Sequence, residues 1–241
     1  MGDALETLID YGREALAFDA LNAFIQRSKQ KIPQERLDEL LGLSTSKPLL
    51  SCMELLLQQG ASISAMVPPY QMDLLAYTVL VNKFEATKLL LSYNAPFEMP
   101  CQLNSESYDN ENNSLAIAIL CNHIEVAEVL LQAGADPNTE VYSYGASEDP
   151  LQYAADNSDD VEMLKLLLRY GLSVEDGRNY AERADYEEYD WADHPLEVAI
   201  FNDFVAVARV LLDAGMRLQN MAAAVAGARS MEMRELFQSY C

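Results

Sequence analysis

The chain has 241 residues, half of them hydrophobic, with 38 acids against 16 bases and a formal net charge of −22. That balance suits a packed protein whose negative field repels nucleic acid and anionic membrane and attracts cationic partners. The start Met1-Gly2-Asp3-Ala4-Leu5-Glu6 lacks the basic and apolar stretches of a signal peptide, and Glu6 stands where N-myristoylation needs Ser or Thr. No run approaches the roughly 20 apolar residues that span a bilayer. The four cysteines, Cys52, Cys101, Cys121 and Cys241, form no CxxC pair, so reduced thiols and a cytoplasmic location are expected.

Residues 1–34 read as an N-terminal helical cap, with helix over 3–29. Beyond them a short phrase recurs in register: Leu56-Leu57-Gln58-Gln59-Gly60-Ala61, Leu90-Leu91-Ser92-Tyr93-Asn94-Ala95, Leu130 through Asn138, Leu167-Leu168-Arg169-Tyr170-Gly171 and Leu211-Leu212-Asp213-Ala214-Gly215. The phrases close units near 35–64, 73–98, 113–138, 149–175 and 194–218, and residues 220–241 form a C-terminal capping pair. Each unit predicts two short helices, the second with an apolar stripe such as Val126, Val129 and Leu130. Pro48 marks the inter-helix turn of the first unit. In later units that turn needs a residue tolerant of left-handed backbone, and Asn82, Asn122 and Asn202 stand there. Gly60, Gly134, Gly171 and Gly215, with Asn94 substituting, are expected as helix C-caps.

In the 113–138 unit, Asn113-Ser114-Leu115-Ala116-Ile117-Ala118-Ile119 stands in place of Thr-Pro-Leu-His-x-Ala-Ala. Asn122-His123-Ile124-Glu125-Val126 follows Gly-His-x-Glu-Ile/Val, and Gly134-Ala135-Asp136-Pro137-Asn138 follows Gly-Ala-Asp-x-Asn. On these residues the chain resembles the ankyrin-repeat family over residues 35–241. The resemblance implies an all-α, ankyrin-repeat solenoid of stacked antiparallel helix pairs with long connecting loops, a scaffold that usually holds another protein. It also implies a structural hydrogen bond for His123. His194, at a helix start, is open between a partner contact, a cap neighbour and no role at all.

The leucines that open successive units lie 34, 40, 36 and 45 residues apart, at Leu41, Leu75, Leu115, Leu151 and Leu196. The longest interval holds residues 175–193, where eight acids meet two bases among three tyrosines and the only tryptophan. The candidate partner-binding residues there are Tyr180, Asp185, Tyr186, Glu187, Glu188, Tyr189, Asp190, Trp191 and Asp193. Tyr108, Asp109, Tyr142 and Tyr144 extend the set into two lesser loops. Family geometry would bring such loops side by side as one acidic, aromatic rim. The competing explanation is that the aromatics fold back on their own loop while the acids solvate it. Charge is skewed the same way: residues 1–100 sum to −4 and residues 101–241 to −18.

Catalytic signatures are missing. There are two histidines, and no Ser-His-Asp order, GxSxG, Walker loop, GxGxxG or HExxH. Asp156-Asn157-Ser158-Asp159-Asp160 lacks the glycine of an EF-hand loop, and Leu167 falls where its distal Glu belongs. Ser158 or Asp159 is instead expected to cap the following helix. No catalytic residue, metal or cofactor is therefore expected. The expected function is a non-enzymatic module, monomeric by itself, whose acidic loops dock on a basic protein. Its most concrete form is an immunity-type inhibitor that blocks a cationic toxin or nuclease. A general scaffold or effector adaptor is the alternative, ahead of an enzyme or calcium-dependent module.

Overall fold

The computed structural model describes residues 2–28, 31–68, 72–98, 112–143, 146–157, 160–174, 194–218 and 221–240. The chain divides into two compact units, Met1–Ala135 and Asp136–Cys241. The first holds the pairs α1 (Gly2–Asp10) and α2 (Glu14–Arg27), α3 (Gln34–Ser46) and α4 (Leu50–Gln58), α5 (Leu74–Leu80) and α6 (Phe84–Ser92), α7 (Ser114–Leu120) and α8 (Ile124–Gln132). First helices pack in the row α1, α3, α5, α7 and second helices in the row α2, α4, α6, α8. The second unit holds α9 (Pro150–Asn157) and α10 (Glu162–Arg169), α11 (Pro195–Asn202) and α12 (Val205–Asp213), α13 (Met221–Gly227) and α14 (Met231–Ser239). There α9, α11 and α13 form the first-helix row, and α12 packs on α14.

One closure recurs five times. After the second helix, Gly60, Asn94, Gly134, Gly171 and Gly215 all take positive φ, as the sequence predicts. Their amides donate to Leu57, Leu91, Leu131, Leu168 and Leu212 O at 2.9 to 3.1 Å. The next amides, of Ala61, Ala95, Ala135, Leu172 and Met216, reach back to Leu56, Leu90, Leu130, Leu167 and Leu211 O at 3.0 to 3.1 Å. These are the two bonds of a Schellman cap, and the residues joined by the longer one are buried at both ends.

The inter-helix turn is equally regular. Asn82 and Asn122 are left-handed, with φ of 54° and 53°. In the fourth such turn the expectation of Asn202 is corrected: Asp203 takes φ of 60°, while Asn202 ends α11. The spacing explains it, because Asn82, Asn122 and Asp203 each follow their leucine (Leu75, Leu115, Leu196) by seven residues. Gly12 (φ 65°) makes the same turn between α1 and α2, so the N-terminal segment is a helix pair of the repeating kind.

Side chains also join neighbouring pairs at the carbonyl ends of first helices, where the regular intrahelical donors run out. Tyr77 Oη donates to Ser46 O at 3.3 Å, His123 Nδ1 to Val79 O at 2.9 Å, and Asn202 Nδ2 to Ala155 O at 3.3 Å. The structural role expected for His123 is thus present.

The connecting loops contain two short antiparallel hairpins that the all-α expectation omits. β1 (Met66–Val67) pairs with β2 (Met72–Asp73), and β3 (Val141–Ser143) with β4 (Ala146–Glu148). β1 lies against α3 so closely that a Cβ at Gly42 would collide with Met66 O. Gly42→Ala should therefore destabilise the protein by about 1–3 kcal/mol through overpacking, although alanine alone would favour the helix by ~1 kcal/mol. Denaturant melts of the two forms measure this, and a gain in stability would show that the hairpin does not rest on Gly42.

Candidate functional site

Four first helices, α5, α7, α9 and α11, begin at a residue whose side chain caps them, whereas α3 begins after Pro33, which makes no such bond. Asp73 Oδ1 accepts from Ala76 N, Asn113 Oδ1 from Ala116 N, and Asp149 Oδ1 from Gln152 N, all at 2.9 Å. His194 Nδ1 accepts from Leu196 N at 3.2 Å, and the residue is only 9% exposed, so the structure makes it a helix cap. Capping satisfies amides that the first turn cannot pair internally. With the left-handed closures at their other ends, the loops are held at both roots.

Of the candidate residues, Tyr142 is described. It lies on β3, half-buried, opposite Ser147, and its Oη donates to Glu140 Oε2 at 2.8 Å. Tyr108, Asp109, Tyr144, Tyr180, Asp185, Tyr186, Glu187, Glu188, Tyr189, Asp190, Trp191 and Asp193 lie outside the described residues, as do Ser158 and Asp159. The neighbouring Asp160 Oδ1 accepts from Glu162 N at 3.1 Å at the start of α10. The flanks of the candidate loops are visible. Ser114 N donates to Phe97 O at 3.3 Å beside the segment 99–111, and Ser173 N donates to Asn138 Oδ1 at 2.8 Å beside 175–193. Met66 is a surface residue the sequence did not single out. It is 52% exposed on β1 while Val67 beside it is buried, an alternation too short to stand out in sequence.

The negative charge of the second unit is weakly offset. Residues 136–241 carry 21 acids and 8 bases. Arg217 donates to Leu212 O and Met216 O at 2.8 and 2.7 Å, and Arg234 to Ala228 O at 2.9 Å. The Arg229 guanidinium lies 4.5 Å from the Phe201 ring centre. These cations face backbone oxygens or an aromatic ring, whereas Lys165 pairs with Glu162 at 3.0 Å. Each cation keeps its full charge, yet 21 acids against 8 bases leave a net of −13, so the unit keeps a strong negative field.

Burial raises the Cys52 thiol to about 11, with the Glu14 charge adding to the effect, and burial also raises Cys121. Neither offers a thiolate at neutral pH. Among the described residues no three His, Cys, Asp or Glu side chains gather as a metal site, and no helix is long and apolar enough to cross a membrane.

Residues 41–141 match the family model for ankyrin repeats in three copies. In fold, the chain is similar to the crystal structure of the ankyrin repeat domain of Bcl-3, a member of the IkappaB protein family, with a TM-score of 0.63 and 22% identity over 97% of each chain. It is similar also to the human ASB11 ankyrin repeat domain, with a TM-score of 0.59 and 20% identity over 98% of this chain and 97% of that one. No curated protein matches the chain in sequence.

Burial pushes Asp73 above the usual carboxylate range, against the lowering effect of its backbone hydrogen bonds. The native state therefore takes up a proton before the unfolded chain, and this group's contribution to stability rises as pH falls through its folded pKa. Asp73→Asn should keep the cap, remove that pH dependence and be at least as stable as wild type at neutral pH. Asp73→Ala should lose about 1 kcal/mol. Urea titrations across the acidic range give the comparison, and equal losses for both variants would contradict it.

Proposed function

We propose that this chain, whose residues 41–141 are ankyrin repeats, is a non-enzymatic cytoplasmic module that docks its acidic, aromatic loops on a basic protein. Ankyrin repeats are protein–protein interaction modules, which supplies the class of function. The observation that carries the finer reading is the second unit's charge, 21 acids against 8 bases. A field of that sign speeds encounter with a cationic surface and selects against other partners more than it adds affinity.

Affinity would come from Tyr180, Tyr186, Tyr189 and Trp191, side chains worth about 2 kcal/mol each at a buried hot spot, roughly thirtyfold in Kd. The solid repeat frame reduces the ordering cost of presenting them. In its most concrete form the module is an inhibitor of immunity type: the acidic surface covers the cationic, substrate-binding face of a toxin or nuclease. Asp185, Glu187, Glu188, Asp190 and Asp193 then stand in for phosphates, with Tyr108, Asp109, Tyr142 and Tyr144 as further contacts.

The test is affinity capture from the native organism at low and high salt, comparing wild type with a Tyr186→Ala, Tyr189→Ala, Trp191→Ala variant. A basic protein held one-to-one by wild type, released by salt and lost by the variant is expected, and inhibition of its activity identifies the inhibitor. Several partners held at micromolar strength would replace the inhibitor with a scaffold. Equal recovery by both forms would remove the acidic segment from the binding site.

A further inference from the structure

We infer that the joint between α3 and α4 is a strained conformational device, clamped by the neighbouring helix pairs, at which the first unit opens ahead of its other turns. Pro48 stands seven residues after Leu41, the place that Asn82, Asn122 and Asp203 occupy after Leu75, Leu115 and Leu196. Those three residues are left-handed, with φ of 54°, 53° and 60°. A proline ring holds φ at about −65° and resists that turn. Pro48 is drawn to a φ of 20°, far from its own preference and short of the left-handed basin.

The hydrogen bonds carry the same deficit. At the other three turns two amides fold back: Asn82 N to Val79 O and Lys83 N to Thr78 O, Asn122 N to Ile119 O and His123 N to Ala118 O, Asp203 N to Ile200 O and Phe204 N to Ala199 O, at 2.8 to 3.2 Å. At Pro48 the longer bond survives, Leu49 N to Ser44 O at 2.9 Å, but proline has no amide to give to Thr45 O. Ser44 adds a second cost. Its hydroxyl is fully buried and has no hydrogen-bond partner among the described residues. At the same step of other first helices, Thr78 Oγ1 donates to Leu75 O at 2.9 Å, while Ala118 and Ala199 have no polar side chain to satisfy. An unpaired buried hydroxyl weakens the closed form.

What holds the joint shut comes from outside it. Tyr77 Oη, on α5, donates to Ser46 O at 3.3 Å, and Glu14 Oε1, on α2, accepts from Ser51 N at 2.8 Å at the start of α4. A joint that stores strain and lacks one bond opens at a lower cost than the turns at Asn82 and Asn122. Cys52 lies in the first turn of α4, completely buried, so its thiol becomes reachable when the joint opens.

The experiment follows modification of Cys52 by iodoacetamide under native conditions in wild type, Pro48→Asn, Ser44→Ala and Tyr77→Phe, with peptide mass spectrometry resolving each cysteine. Urea unfolding gives the global stability of each form. In wild type, Cys52 is expected to react faster than global unfolding allows. Pro48→Asn suits the left-handed turn and restores the missing amide, and is expected to slow Cys52 roughly tenfold. Losing the ring also frees the unfolded chain, which acts the other way, so a net slowing shows that the strain is the larger effect. Ser44→Ala should slow Cys52 severalfold, and Tyr77→Phe, which removes a clamp, should speed it severalfold. Cys121, half-buried in the turn after α7, should keep its rate throughout. A wild-type rate set by global unfolding, equal rates in wild type and Pro48→Asn, or parallel changes at Cys121 would each overturn the inference.

Discussion

The left-handed residue that closes five of the second helices is the constraint on which the other features depend. An L side chain in that conformation meets its own carbonyl, so glycine, and less easily asparagine, is required. The reversal sends two amides back onto the last turn and buries the residue that follows, as at Gly134 and Ala135. The connections that follow these five closures leave the helices from the same kind of place. The caps at Asp73, Asn113, Asp149 and His194 return four of them to a helix start.

Packing then decides where charge is allowed. α5 packs on its own partner α6 and on the first helices α3 and α7, and neither α5 nor α7 carries a charged residue, α7 being buried along almost its whole length. Among the carboxylates that first helices do carry, Glu35 and Glu39 on α3 and Glu197 on α11 are exposed, and others lie on second helices and in loops. The described thiols of the frame, Cys52 and Cys121, are held protonated by burial.

Features set by local backbone chemistry were legible in the sequence. The five closures and the turn asparagines announce themselves through residue type, and His123 through its place in the repeat phrase. At the remaining turn, position outranks residue type: the seventh residue after Leu196 is Asp203, and it, not Asn202, is left-handed. Features set by tertiary approach were not legible. Gly42 answers to the backbone of Met66, which is distant in sequence from it, and strands of two or three residues are too short for alternation to appear. The N-terminal pair lacks the repeat phrase, and only its turn at Gly12 reveals the kinship. For the candidate site, composition names the acids and aromatics, while the structure supplies the roots from which they depart.

If the recurring closure governs the fold, the amides of Ala61, Ala95, Ala135, Leu172 and Met216 should resist hydrogen exchange as strongly as the helices they seal, opening only with the surrounding repeat. Residue-resolved exchange on the intact chain measures this directly. Protection at all five matching the adjacent second helices is the expected result. Exchange at the rate of the exposed loops, with the helices still protected, would show that the closures follow from the packing instead of setting it.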